Sequence, residues 1–281
     1  MNSVGESFRL LRKDRGYTLK TLSEGIVSFS YLSKFEQGKS DITLSTFVRL
    51  LRKLNMSVDE FLFFDNQVLT DYNKVFKKMS IAYSKKDKSG LVSLYEKEMD
   101  LYHETNNTYH KCNAIIISAI ISDIDTNYTI TKENQNFLID YLIGCSYWTH
   151  YEVSLFGNAM TIFADKSLMI LLKEIENRAH KQKVTRRNMR DIIALLENAC
   201  VILLRRNKLE EAKIVSNYLD SIIEPHYFYE KTRKLFIDGV ILILEGEKNT
   251  GSMQAQKAIE IIEQMDEQLS AYHTSELEKY I

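Results

Sequence analysis

The sequence predicts an all-α chain in two parts: a five-helix bundle over residues 1–65 and a larger helical repeat over residues 66–281. Three observations predict this. Apolar residues recur at three- and four-residue intervals almost throughout, and no stretch keeps the period of two that a half-buried strand needs. Proline occurs once, at Pro225, and glycine only ten times, so little interrupts the helices. A carboxamide or carboxylate followed by a small residue then returns in four long apolar segments, as Asn113-Ala114, Asn158-Ala159, Asn198-Ala199 and Asp238-Gly239, at intervals of 45, 40 and 40 residues.

Residues 4–16, VGESFRLLRKDRG, form an amphipathic first helix that carries Arg9, Arg12, Lys13 and Arg15. Residues 18–38, TLKTLSEGIVSFSYLSKFEQG, read as two short helices with a tight connection. Thr18 caps the first, Leu19 and Leu22 give it an apolar stripe, Gly25 breaks it, and Ser28 or Ser30 caps the next. Leu32 and Phe35 then point inward, which leaves Phe29, Ser30, Tyr31, Ser33, Lys34 and Gln37 outward. Two further helices follow in LSTFVRLLRKLNMSVDEFLFF, with Arg49, Arg52 and Lys53 on the polar side. Any small bundle shows such stripes, but the basic flanking helices favour a helix-turn-helix that lays its third helix in a DNA major groove. On this reading Arg12, Lys20, Lys34 and Lys39 contact phosphates. Ser30, Tyr31 and Gln37 reach base edges, with Ser28 and Ser33 beside them.

Charge sets the scale of that interaction. Residues 1–65 hold 10 Lys/Arg against 8 Asp/Glu, and the remainder 27 against 30. So weak a positive field holds DNA poorly by phosphate neutralisation alone, which points to a homodimer on two half-sites. Cys112, Cys145 and Cys200 lie far apart in apolar runs, and MNSVGESF lacks the features of a secretion signal, so a cytoplasmic protein is expected. The longest apolar run, AIIISAIIS, is too short to span a membrane. His103, His110 and Cys112 match no closed zinc spacing, so neither metal nor cofactor is expected. No phosphate-cradling glycine loop or nucleophile elbow supports an enzyme.

Residues 66–281 break near 85–89, 105–108, 125–131, 181–185, 207, 224–225 and 246–252, which yields roughly ten paired helices. Stacked pairs of this kind make a solenoid like that of tetratricopeptide repeats, whose first helices line a concave surface. The four Asn/Asp positions would form a row there, and a carboxamide can bond the backbone of an extended peptide whatever its side chains. Tyr151 and Ser154 precede Asn158 on one helix. Arg187 and Asp191 precede Asn198, and Lys231 and Lys234 precede Asp238; all are placed at a peptide ligand. Arg190, in the basic run from Arg178, is a further candidate for an acidic group or a terminal carboxylate. Trp148 is expected to anchor the core rather than to meet a ligand.

The string SYLSKFEQGKSDITLSTFVRLLRKLNMSVDEFLFF, centred on Leu32-Ser33-Lys34-Phe35-Glu36-Gln37-Gly38 and Met56-Ser57-Val58-Asp59-Glu60-Phe61, resembles the DNA-binding domain of the Rgg/MutR regulators. These are a branch of the Xre-type helix-turn-helix group. Trp148-Thr149-His150-Tyr151-Glu152-Val153-Ser154-Leu155-Phe156-Gly157-Asn158 resembles a segment of their C-terminal region. The resemblance implies a homodimeric transcription regulator whose repeat domain receives a short secreted peptide. A regulator of the same fold that senses a small molecule or a protein is the alternative. Leu19 stands where many Xre-type proteins carry a DNA-contacting glutamine, which leaves Lys20 for that contact. No cysteine precedes Cys112, so the disulfide that joins the DNA-binding domains of some relatives is not expected.

Overall fold

The computed structural model describes residues 3–65, 71–181 and 186–281, apart from the side chains at 71, 72, 179–181, 186 and 187. Every regular element among them is helical. The chain divides into two compact units, Met1–Lys74 and Val75–Ile281.

The first unit holds α1 (Val4–Asp14), α2 (Leu19–Ser23), α3 (Phe29–Glu36), α4 (Leu44–Lys53) and α5 (Val58–Asp65). Each start up to α4 carries a hydroxyl that accepts an otherwise orphaned N–H. Ser3 and Glu6 cap each other reciprocally on α1, Thr18 caps α2, Ser28 rather than Ser30 caps α3, and Thr43 caps α4. Such caps are worth about 1 kcal/mol each. The apolar stripes meet in one core of Phe8, Leu11, Leu22, Leu32, Phe35, Phe47, Leu50, Leu51, Leu54 and Phe61. Gly5 permits the approach of α1 to α3, because a Cβ there would stand 1.9 Å from the Phe35 carbonyl oxygen. Gly25, with φ of +73°, turns the chain between α2 and α3.

The second unit begins within α6 (Asp71–Ser84) and continues through α7 (Lys88–Thr105), α8 (Thr108–Ile124), α9 (Lys132–Gly144) and α10 (His150–Ala159). After these come α11 (Asp165–Lys181), α12 (Arg186–Arg205), α13 (Leu209–Ile222), α14 (Phe228–Leu244), α15 (Lys248–Glu263) and α16 (Glu267–Leu277). Helices α8, α10, α12 and α14 pack successively on one another, while α9, α11 and α13 stack as a second layer. Neither layer buries its apolar face without its neighbours, which is the logic of a helical repeat. Trp148 is buried as expected: its indole N–H donates to the Leu142 carbonyl at 2.9 Å and the Arg178 guanidinium covers the ring.

The sequence missed breaks at 145–149, 160–164 and 264–266, and it set one break too far along. Gly251 and Ser252 lie inside α15 rather than in the turn, which spans residues 245–247. The expected break at 181–185 falls almost wholly outside the described residues. None of the described helices is long and apolar enough to cross a membrane. No group of three or more potential metal ligands occurs among the described residues.

Candidate nucleic-acid interface and ligand face

In the first unit, α3 presents Ser30 and Lys34 to solvent, with Gln37 at its C-cap, Lys20 on α2 and Lys39 just beyond also exposed. The buried Leu32 and Phe35 fix the rotation of the helix and so decide which side chains face outward. Some outward groups are already engaged. The Ser28 hydroxyl accepts the Tyr31 N–H at 3.1 Å, and the Gln37 side-chain amide donates to the Ser33 hydroxyl at 3.1 Å. The Tyr31 phenol donates its proton to the Asp41 carbonyl at 2.7 Å, which makes it a strut for the loop into α4 as well as a surface residue.

Arg12 requires a correction. It is only 5% exposed, and its Nε and Nη2 donate to the two Glu36 carboxylate oxygens at 2.6 and 2.7 Å. Nη1 donates to the Tyr17 carbonyl at 2.6 Å. A fork–fork pair of this kind, closed off from solvent, faces the interior, so Arg12 holds α1 to the last turn of α3 and is not placed at the surface to meet a phosphate. Arg49 and Lys53 on α4 have a related duty: they donate to the Gly25 and Glu24 carbonyls, at 2.7 and 2.9 Å, and brace the turn between α2 and α3.

In the second unit the fourfold row divides. Asn158 on α10 and Asn198 on α12 are exposed as expected. The Asn158 side chain donates to the Ser154 carbonyl of its own helix at 2.7 Å. Asn113 on α8 is 3% exposed; it donates to Glu98 and accepts the Tyr151 phenol at 3.0 Å. Tyr151 is therefore a buried brace between α8 and α10, not a ligand contact, and burial raises its phenol above the ordinary range. At the other end Asp238 accepts Ser216 at 2.7 Å and Lys234 at 2.7 Å. Lys234 is buried and also pairs with Asp220 at 2.9 Å, so Lys234 and Asp238 clasp α14 to α13, and with Lys231, Asp220 and Leu235 they line a small cleft of about 270 Å³.

Lys231 is exposed nearby, and Ser154 is half-buried. Asp191 pairs with His150 across α10 and α12 at 2.7 Å. Arg190 lies 3.7 Å from Glu230 and over the Tyr227 ring. The side chain of Arg187 lies outside the described residues.

Sequence reasoning missed Arg233, the α14 side chain that reaches across to Asn198. Its Nη2 donates to Asn198 Oδ1 at 2.9 Å, and Nη1 lies 2.8 Å from Glu197 Oε2. Glu197 is wholly buried, and neither of its oxygens makes a well-formed hydrogen bond among the described residues, Arg233 included. Burial pushes its carboxyl up to about 7, with Glu230 adding to the rise and Arg233 opposing it. His273 on α16, 4% exposed and packed at a tilt against the Phe236 ring, has both ring nitrogens without a hydrogen bond among the described residues. Burial, helped by the Arg233 charge, holds its imidazole down at about 4.

These two groups titrate in opposite senses. Glu197 contributes stability below its unfolded value of 4.5 and loses it as pH rises through about 7. His273 contributes above 6.5 and loses it as pH falls through about 4. The slopes oppose each other through the shared window. Glu197→Gln is therefore expected to make stability rise between pH 4.5 and 6.5 relative to the unaltered protein, by about 2 kcal/mol. Urea titrations at several pH values check this; parallel curves for the two proteins would refute it.

Comparison with known proteins accords with both units. Residues 95–276, well over half of the chain, match the family described as HTH-type transcriptional regulator Rgg, C-terminal domain. Residues 8–61 match a helix-turn-helix family. The crystal structure of the Streptococcus dysgalactiae SHP pheromone receptor Rgg2, as its C45S variant, is similar at 25% identity, covers 99% of this chain and 98% of its own, and gives a TM-score of 0.85. A protein of Listeria monocytogenes EGD-e assigned as a transcriptional regulator is similar at 25% identity, with coverage of 99% and 97% and a TM-score of 0.86. The PrgX/cCF10 complex shares the fold at 15% identity, with coverage of 100% and 92% and a TM-score of 0.80. With its helix-turn-helix unit in front and the matched repeat behind, this chain belongs to the Rgg family of HTH-type transcriptional regulators.

Proposed function

We propose that the chain reads promoter DNA with α3, as one half of a homodimer, and that a short peptide lying across α10, α12 and α14 controls it. The observation that carries the DNA reading is the set of exposed Ser30 and Lys34 on α3 and Gln37 at its C-cap, on a helix whose back is locked into a phenylalanine-rich core. A recognition helix must be rigid, because each base contact depends on angstrom-level placement. Support for the peptide reading comes from the exposed carboxamides of Asn158 and Asn198 on adjacent helices. It comes also from the similar structures described as a pheromone receptor and a PrgX/cCF10 complex. A peptide shifts a conformational equilibrium only by its differential affinity for two states. Contacts that bridge several stacked helices feel their spacing, which makes such a bridge the lever.

A second reading has one observation in its favour. A cleft of about 850 Å³ between α11 and α13, with Met169, Leu172, Leu196 and Val215 among its apolar lining and Lys173 and Glu211 among its charged lining, has the size of a small-molecule site.

The DNA reading is tested on a duplex selected from a random pool by the full-length protein. Lys34→Ala is expected to weaken binding and to reduce the slope of log affinity against log salt by about one. An unchanged slope removes Lys34 from the phosphate contacts, and failure to enrich any duplex removes the reading itself.

A further inference from the structure

The junction of α12 and α14 holds an arrangement that structural stability does not explain. Arg233 keeps 14% of its side chain exposed beside the exposed Asn198, while the Glu197 it faces is completely buried. A guanidinium carries five N–H donors in a planar fork. Here one is spent on Asn198 and one leans on Glu197 without a well-formed hydrogen bond. The Tyr229 ring lies 6.0 Å from the same guanidinium, and it is half exposed. A solvent-reaching cation with donors to spare, flanked by a carboxamide and an aromatic face, is chemically suited to a carboxylate from outside.

We infer that Arg233, with Asn198 beside it and Glu197 beneath it, forms the subsite that takes the terminal carboxylate of the bound peptide. This rests on the peptide reading above and names the chemical group that one end of the groove selects. Two carboxylates cannot both stay charged on one guanidinium in a desolvated site. When the peptide carboxylate arrives, Glu197 takes one proton from solvent and becomes neutral, while Arg233 stays cationic and exchanges its ion pair with Glu197 for one with the ligand. Burial already places the Glu197 carboxyl at about 7, so the exchange costs little near neutral pH. The other groups that face this centre do not duplicate the role. Glu230 on α14 is drawn toward Arg190, Cys200 on α12 is buried with its thiol pushed up by burial, and His273 on α16 stays neutral down to about pH 4.

The test uses the full-length protein and a panel of synthetic octapeptides, each made as the free acid and as the C-terminal amide, in calorimetry between pH 6.5 and 8.5. The expected result is at least tenfold tighter binding of the acids at pH 7. Acid affinity should fall close to tenfold between pH 7.5 and 8.5, and the measured heat should vary with buffer ionisation enthalpy as one proton is taken up. Arg233→Gln should erase the acid preference. Glu197→Gln should erase the pH dependence, leaving the acids bound more tightly than by the unaltered protein at pH 8.5. Equal binding of acid and amide by the unaltered protein overturns this subsite and leaves the peptide reading standing. Binding of neither form overturns both, and a preference that survives Arg233→Gln overturns the assignment to Arg233.

Discussion

Arg12→Ala is expected to destabilise the N-terminal unit by about 3–5 kcal/mol, the range found when one partner of a buried ion pair is removed. The cost is not the loss of attraction alone. Glu36 is 2% exposed, and without the guanidinium its carboxylate is left charged in a place that water does not reach. Because Glu36 lies in the last turn of α3, the same substitution should loosen the proposed DNA-reading helix and abolish duplex binding. Amide hydrogen exchange over residues 4–61 measures the first effect and fluorescence anisotropy with a selected duplex the second. The double change Arg12→Met with Glu36→Leu removes both charges and should recover most of the stability. A stable Arg12→Ala protein that binds DNA with a reduced salt slope would return Arg12 to the phosphates.

Gly239→Ala should cost about 3 kcal/mol, the upper end of what one added methyl does in a packed core. Its Cβ would stand 2.6 Å from the Ala255 backbone nitrogen and 2.8 Å from the Gly251 carbonyl oxygen. Both obstacles are backbone, so no side chain can swing aside, and α14 and α15 must move apart. Separation exposes Ala255, Ala258 and Ile259, which the crossing now buries. Thermal unfolding is expected to begin at the α14–α15 end, with exchange protection falling there first. Full protection of α15 in the variant would show that the crossing tolerates a methyl group.

Gly239 also shows where the repeat came from. The small residue after each Asn or Asp, at Ala114, Ala159, Ala199 and Gly239, is completely or almost completely buried, and at Gly239 the neighbouring helix is close enough to forbid even a methyl. The polar member of each pair has no common fate. α8 is packed against α7, α9 and α10, so Asn113 is sealed between helices. Asn158 and Asn198 lie where their layer meets solvent. Arg233, one residue before the expected Lys234, is the group that meets Asn198, because the crossing of α14 with α12 turns that side of the helix toward it. A shift of one residue is about 100° around a helix, and sequence spacing does not say which side faces the neighbour.

Gly251 illustrates the same limit. As sequence it signals a turn, yet it sits inside α15 because Gly239 approaches it across the crossing. Arg12 illustrates it too, since its partner lies 24 residues away on another helix.

What the sequence by itself determined is the local physics: where helices begin, as Thr18 and the stretch at residues 28–30 announce, and which stripe each turns inward. It also determined that a small DNA-reading bundle precedes a stacked repeat, because periodicity and capping act within a few residues. Tertiary structure alone decided which cations are spent inside the protein, which carboxamides reach solvent, and that Arg233 rather than Lys234 joins Asn198. Burial and ion pairing depend on helices distant in the chain, and a side chain's own neighbours carry no record of what will be packed against it.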